Sequence, residues 1–161
     1  MTIRITLDSH CINHLDISPV DKVVEQLIQE SKLRSAEPEI SFEIDYPLDD
    51  QDPRELSEVP EVRLWFICLD SQYPWLPYVL DWRSGELARY VAMLVPHQFH
   101  GREGIQYNPE ALEIFLMQKI FVITRWLQEM GLPSRSRLQS MAQMLGYDLD
   151  EGLFDVIEQR S

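Results

Sequence analysis

The sequence predicts an α+β fold: a mainly antiparallel sheet with helices packed on one side, and a long buried helix near residues 109–130. Two patterns predict this class. Apolar and polar residues alternate in short segments of the first half of the chain, whereas apolar residues recur at helical spacing along most of the second half. The length of 161 residues, with 45% hydrophobic and 25% charged residues, suits one globular domain. We therefore expect residues 1–161 to form a single domain.

Three segments have the character of strands. Residues Thr2 to Leu7 (TIRITL) and Glu39 to Tyr46 (EISFEIDY) alternate apolar and polar side chains, which indicates strands with one buried face. The segment EVRLWFICLDS after Pro60 is nearly all apolar between Leu64 and Leu69, and this favours a strand in the centre of a sheet.

A β-hairpin is predicted over residues 78–93. Residues 78–82 and 87–93 flank the turn-like segment Arg83-Ser84-Gly85-Glu86. The second arm also has helical spacing, at Leu87, Tyr90, Val91 and Leu94. We keep a helix as the alternative for that arm.

The first predicted helix is SPVDKVVEQLIQESKL. Ser18 is a candidate cap, Pro19 suits the first helical position, and Asp21 is favourable in the first turn. Apolar residues then fall on one face, at Val20, Val23, Val24, Leu27 and Ile28. The segment should be an amphipathic helix.

The longest predicted helix begins after Asn108, a candidate cap, with Pro109 at its first position, and ends at Gly131. Its apolar residues cover most of the circumference, so we expect it to be central and buried. Two shorter helices are predicted in SRSRLQSMAQMLGY and DLDEGLFDVIEQR.

The charge balance disfavours nucleic acids and membrane surfaces as partners. Twenty-seven acids against 14 bases give a formal net charge of -13, which repels phosphate backbones and anionic headgroups. The longest strongly apolar run is too short to span a bilayer, so no stable membrane anchoring is expected. Such a surface attracts cations or basic protein patches, or serves solubility alone.

The sequence lacks the motifs of several known catalytic and cofactor sites. It contains no phosphate-binding glycine loop and no glycine-flanked nucleophilic serine. His10, Cys11 and His14 are close enough in sequence to share a metal ion, and His97 with His100 has a two-residue gap found in zinc sites. However, the sequence has no CxxC pair, and the two groups lie in different loops. We expect no catalytic residue, no cofactor and no metal, and we interpret the two cysteines as reduced thiols in a cytoplasmic compartment.

Three surface regions are candidates for binding a partner. The residues from Glu43 to Glu61 include eight acids and one base, and this loop, with a helical turn expected at Pro53 to Ser57, could either dock a basic partner or simply be solvated. The aromatic residues beside prolines in a turn region, Tyr73, Trp75, Tyr78 and Trp82, and the loop before the long helix could supply contacts or serve local packing. The candidate contact residues are Asp49, Asp50, Asp52, Glu55, Trp75, Tyr78, His97, His100 and Arg102.

The stretch from Tyr46 to Phe121, which begins YPLDDQDPRELSEVPEVRLWF, resembles the chlororespiratory-reduction family of assembly factors, found in cyanobacteria and chloroplasts. The resemblance is strongest from Pro60 to Trp126. It implies a non-catalytic factor that matures the hydrophilic arm of the photosynthetic NAD(P)H dehydrogenase-like complex. The implied client is subunit I, a ferredoxin-like protein with two cubane iron–sulfur clusters. Because the chain starts almost at its first strand, the resemblance implies a cytoplasmic, cyanobacterial member.

Two alternatives remain open at the level of sequence. One is a small metal-dependent enzyme or an iron–sulfur delivery factor that uses Cys11, Cys68, His97 and His100. The other is an acidic adaptor with a different client.

Overall fold

The computed structural model describes residues 2–30, 39–100, 102, 104–132 and 135–159. The chain divides into two compact units, residues 1–95 and residues 96–161, and each is described by itself. The expectation of a single domain stays a prediction.

The first unit contains a two-stranded parallel sheet. Strand β1 (Thr2–Leu7) pairs with β2 (Glu39–Ile44), with Ile5 opposite Phe42. Parallel strands require a crossover, and here the crossover contains α1 (Ser9–Asn13) and α2 (Ser18–Gln29). Both strands were predicted. Their parallel pairing was not.

The crossover differs from the sequence prediction in two details. Residues 8–17, where no helix was predicted, contain α1, because Asp8 accepts a hydrogen bond from the backbone N–H of Cys11 at 2.9 Å and caps the helix. Helix α2 is confirmed over Ser18–Gln29, but its N-cap is Ile17 and Ser18 is already helical. The predicted end, residues 31–33, lies outside the described residues. Its buried face consists of Val20, Val24 and Leu27.

The prediction of a central strand after Pro60 is wrong, because this segment is helix α3 (Pro60–Gln72). Its buried residues recur at helical spacing, at Val62, Trp65, Phe66 and Leu69. Leu64 and Ile67 are 50% and 47% exposed. The apolar run concealed the helical period because apolar residues occupy the exposed face as well as the buried one.

The predicted β-hairpin over residues 78–93 is also wrong. Short 3₁₀ turns at Leu76–Val79 and Trp82–Ser84 lead into helix α4 (Glu86–Leu94), so the helical alternative for the second arm is confirmed. Asp81 accepts a hydrogen bond from the backbone N–H of Arg83 at 3.2 Å, and Gly85 takes a positive φ of 86°. The helical turn expected at Pro53 to Ser57 is a 3₁₀ turn at Leu56–Glu58.

The core of the first unit joins β2, α3 and α4 through aromatic rings. Phe42 packs edge-on against Trp65 and Phe66, and Phe66 packs the same way against Tyr90, with ring centroids 5.8 to 6.0 Å apart. Trp65, Phe66 and Tyr90 are fully buried. Helix α3 is therefore the central element of this unit.

The second unit begins with an antiparallel hairpin where a loop was expected. Strand β3 (His97–His100) pairs with β4 (Gly104–Tyr107), with His97 opposite Tyr107. Helices α5 (Pro109–Met130), α6 (Arg135–Met144) and α7 (Glu151–Gln159) follow, as predicted.

Both predicted ends of α5 are confirmed. The side chain of Asn108 accepts a hydrogen bond from the backbone N–H of Ala111 at 3.0 Å, and Gly131 ends the helix with a φ of 71°. The expectation that α5 is buried around most of its circumference is wrong, since Ile114 is 70% exposed and Phe121 is 43% exposed.

The α+β class is confirmed, but the mainly antiparallel sheet is not. Within the described residues, the strands form one parallel and one antiparallel sheet of two strands each. A sheet this small cannot supply a core, and helices contribute most of the buried residues. In the same part of the chain, the helices are too short or too polar to cross a bilayer.

Candidate functional site

The acidic segment, residues 43–61, is a chain of exposed carboxylates in the first unit. Eight acids and one base lie within it. Seven of the acids are exposed and form no ion pair with any described residue. These seven are Glu43, Asp45, Asp49, Asp50, Glu55, Glu58 and Glu61.

The single base of the acidic segment is held by its eighth acid. Arg54 donates from Nη2 to Oδ2 of Asp52 at 2.7 Å and from Nε to Oδ1 at 3.0 Å, a bidentate ion pair. The backbone N–H of Arg54 donates to the same carboxylate at 3.0 Å. These hydrogen bonds from Arg54 lower the pKa of Asp52 from 3.8 to about 2. Arg54 is thus paired with Asp52, and the seven other acids of the segment have no ion pair with it.

The acidic segment has a defined backbone in its centre and fixed points at its ends. The N–H of Asp52 donates to the carbonyl of Asp49 at 2.8 Å, which closes a turn with Asp50 exposed on it. The N–H of Asp45 donates to the carbonyl of Leu7 at 2.7 Å, and Val59 is buried before α3. The structure thus places Asp49, Asp50, Asp52 and Glu55 on one short surface segment.

The candidate aromatic residues lie in the turn that follows α3. Trp75 is half-buried, and its ring lies 5.7 Å from that of Tyr73. The hydroxyl of Tyr73 donates to Asp21 at 2.7 Å, and burial followed by this bond to a carboxylate raises the pKa of Tyr73. Tyr78 is half-buried in the next 3₁₀ turn. These rings combine packing with partial exposure, as interface anchors do.

The remaining candidate residues belong to the hairpin of the second unit. His97 is half-buried, with its ring 5.8 Å from that of Tyr107. His100 is the last residue of β3 and lies opposite Gly104 in the register, and Arg102 is exposed in the turn. Burial raises the pKa of Tyr107. A small cleft of about 310 Å³ is lined by His97, Tyr107 and their neighbours in the hairpin.

Sequence reasoning missed a larger cleft in the second unit. The α5–α7 cleft has a volume of about 410 Å³ and is lined by residues of α5, α6 and α7 and of the turn after α5. The lining residues are Thr124, Leu127, Gln128, Gly131, Leu132, Arg135, Leu138, Phe154 and Glu158.

Arg135 ties α6 to α7 beside this cleft. Its guanidinium donates from Nε to Glu158 at 3.0 Å and from Nη1 to Glu151 at 3.0 Å, and it contacts Asp155 at 2.9 Å. The three acids are spaced at i, i+4 and i+7, and so share one face of α7. That spacing was the available sequence signal, but it did not show which base would meet the acids.

The described residues contain no group of three or more His, Cys, Asp or Glu side chains that could hold a metal ion. Cys11 lies in α1 and Cys68 in α3, and both are free thiols. Burial, followed by the neighbouring Asp8 carboxylate, raises the pKa of Cys11 and so disfavours the thiolate that metals bind.

Comparison with known proteins gives one family. The sequence model of the family described as chlororespiratory reduction 6 matches residues 7–156, which is nearly the whole chain and includes both units. No solved structure matches the chain.

Proposed function

Because the chain belongs to the chlororespiratory reduction 6 family, we propose that it is a non-catalytic factor that binds the ferredoxin-like subunit I of the photosynthetic NAD(P)H dehydrogenase-like complex. The family implies involvement in assembly of that complex. Binding of subunit I, and the absence of a reaction of its own, are the parts that we propose.

The exposed acidic segment is the observation that carries this proposal. Its one base is paired internally with Asp52, while its seven other acids are exposed to solvent. A run of unpaired charge of one sign attracts a partner of the opposite sign and accelerates the encounter. We therefore propose that the client presents a basic surface, which the acidic segment binds before the hydrophilic arm is complete.

The individual contact residues are part of the proposal. Asp49, Asp50 and Glu55 supply exposed negative charge. Asp52 binds Arg54, so the positive charge of Arg54 is paired within the segment. Trp75 and Tyr78 would supply apolar anchors in the same unit. In the second unit, His97, His100 and Arg102 belong to a hairpin that would form a further contact.

We also propose that the protein acts in the cytoplasm. The two free thiols support a reducing compartment, since a disulfide framework would be expected in an oxidising one.

A charge-reversal experiment tests the role of the acidic segment. The variant Asp50→Lys/Glu55→Lys is used to capture subunit I from lysate of the native cell, at low and at high salt. We expect capture at low salt to fall about tenfold, and the difference to shrink at high salt because exposed charges are screened. The matched control is Glu113→Lys/Glu129→Lys, which changes the net charge equally at exposed positions of α5.

Two results would count against the proposal in different ways. If both variants capture subunit I as the unaltered protein does, the acidic segment is not the contact. If the unaltered protein itself retains no subunit I, the proposed client is wrong.

A further inference from the structure

The α5–α7 cleft has the dimensions and the lining of a binding site. Its volume of about 410 Å³ lies within the range of sites that hold small ligands or single side chains. The apolar lining includes Leu127, Leu138 and Phe154, which are almost fully buried. An apolar side chain that entered the cleft would be removed from water on several sides.

One polar group in the lining lacks a partner. Thr124 lines the cleft and is only 4% exposed, and its Oγ1 forms no hydrogen bond with any described residue. A buried hydroxyl without a hydrogen bond is unfavourable and uncommon in native proteins. The Oγ1 atom has almost no accessible surface, so rotation of the Thr124 side chain toward the cleft is required before a bound backbone N–H or C=O can satisfy it.

The charges beside the cleft favour a cation. Arg135 contributes one positive charge, and Glu151, Asp155 and Glu158 contribute three negative charges around it. The side chains of Glu151 and Asp155 are 65% and 58% exposed, so they can accept further hydrogen bonds from outside. An anionic ligand would meet this excess of carboxylates, and Arg135 already donates to all three.

We propose that the α5–α7 cleft binds a short peptide segment of a partner protein, in which an apolar side chain is followed by lysine or arginine. The apolar side chain occupies the cleft between Leu127, Leu138 and Phe154. The backbone of the peptide forms a hydrogen bond with the hydroxyl of Thr124, and the basic side chain forms ion pairs with Glu151 and Asp155. The choice of a peptide over a small amphipathic amine rests on the proposed function, which is to hold another protein.

Blocked hexapeptides test the cleft directly, with the full chain observed by amide NMR. The probe is acetyl-Gly-Ser-Phe-Lys-Ser-Gly-amide. One control peptide replaces its phenylalanine with serine, and a second replaces its lysine with glutamate. We expect saturable shifts at Thr124, Leu127 and Phe154, with a dissociation constant of about 1 mM or below, and binding about tenfold weaker for each control peptide.

Three variants assign the contacts. Thr124→Val removes the hydroxyl at nearly constant volume, so it should weaken binding of the probe peptide and raise the melting midpoint of the protein. Thr124→Ser should still bind the probe peptide. Glu151→Gln/Asp155→Asn leaves the pairing of Arg135 with Glu158 and should reduce the preference for lysine over glutamate.

The proposal is overturned if the probe causes no saturable shift at the cleft up to about 5 mM, well above the expected dissociation constant. It is also overturned if all three peptides bind alike. The proposal is also overturned if phenethylamine binds as tightly as the peptide, because the site would then recognise amphipathic amines in general. The capture of subunit I is measured separately, so an inactive cleft leaves the proposed function standing.

Discussion

Trp65 of α3 donates from its indole Nε1 to the backbone carbonyl of Asp16 at 2.9 Å, and so ties the centre of the first unit to the segment between α1 and α2. Trp65 is fully buried, and its ring also packs edge-on against Phe42 and Phe66. The bond therefore satisfies the one polar group of a core side chain.

Replacing Trp65 with phenylalanine should destabilise the first unit. The change leaves the carbonyl of Asp16 without its donor and removes ring volume from the core, which should cost about 2–4 kcal/mol in free energy of unfolding. Urea denaturation followed by circular dichroism measures the loss. Trp82→Phe is the matched control. Trp82 also donates its indole N–H to a backbone carbonyl, that of Pro77 at 2.9 Å, but its side chain is only half-buried. Equal losses in the two variants would show that burial does not set the cost.

Replacing Asn108 with alanine should weaken the start of α5. The variant loses the hydrogen bond to the N–H of Ala111, and the expected cost is about 1 kcal/mol in free energy of unfolding. Asn108→Asp keeps an acceptor at the cap and should lose little. If the alanine and aspartate variants unfold at the same urea concentration, the cap does not stabilise the helix.

Replacing Arg135 with lysine should lower the urea midpoint of unfolding. Lysine keeps the positive charge but cannot form the fork of hydrogen bonds that reaches Glu151 and Glu158 together. Arg125→Lys is the control, since Arg125 is exposed and has no ion pair with a described residue. The difference in urea midpoint between the two variants should become smaller at about 1 M salt, because such salt shortens the screening length of electrostatic interactions to roughly 3 Å. The Cζ atom of Arg135 also lies 5.9 Å from the ring centroid of Phe154, so a difference that does not change with salt would point to loss of this contact instead.

The ion pair of Asp52 with Arg54 predicts an acid transition in the acidic segment. The folded protein lowers the pKa of Asp52 from 3.8 to about 2, so the stabilisation is present above pH 3.8 and is lost as the pH falls toward about 2. Carbon NMR of the Asp52 carboxyl should give this low midpoint. In Arg54→Met the midpoint should rise toward 3.8, while Arg125→Met should leave it unchanged. A low midpoint that survives Arg54→Met would mean that another group lowers the pKa.

The sequence by itself determined the elements whose signals lie within a few residues. Strand β1, helix α2 and both ends of α5 follow from alternation, helical spacing and caps, and these depend only on neighbouring residues. It also determined the acidic segment, because eight acids beside one base must lie largely in water. The internal pairing of Arg54 with Asp52 required the structure.

Tertiary structure alone decided which faces are covered. The run from Leu64 to Leu69 is compatible with a buried strand or a helix, and only packing against Phe42 and Tyr90 makes it helical with Leu64 left outside. The same holds for the α5–α7 cleft, whose lining comes from residues up to 34 positions apart, Thr124 to Glu158. Local sequence records the preferences of a segment, but the free energy of burial depends on which distant segment covers it.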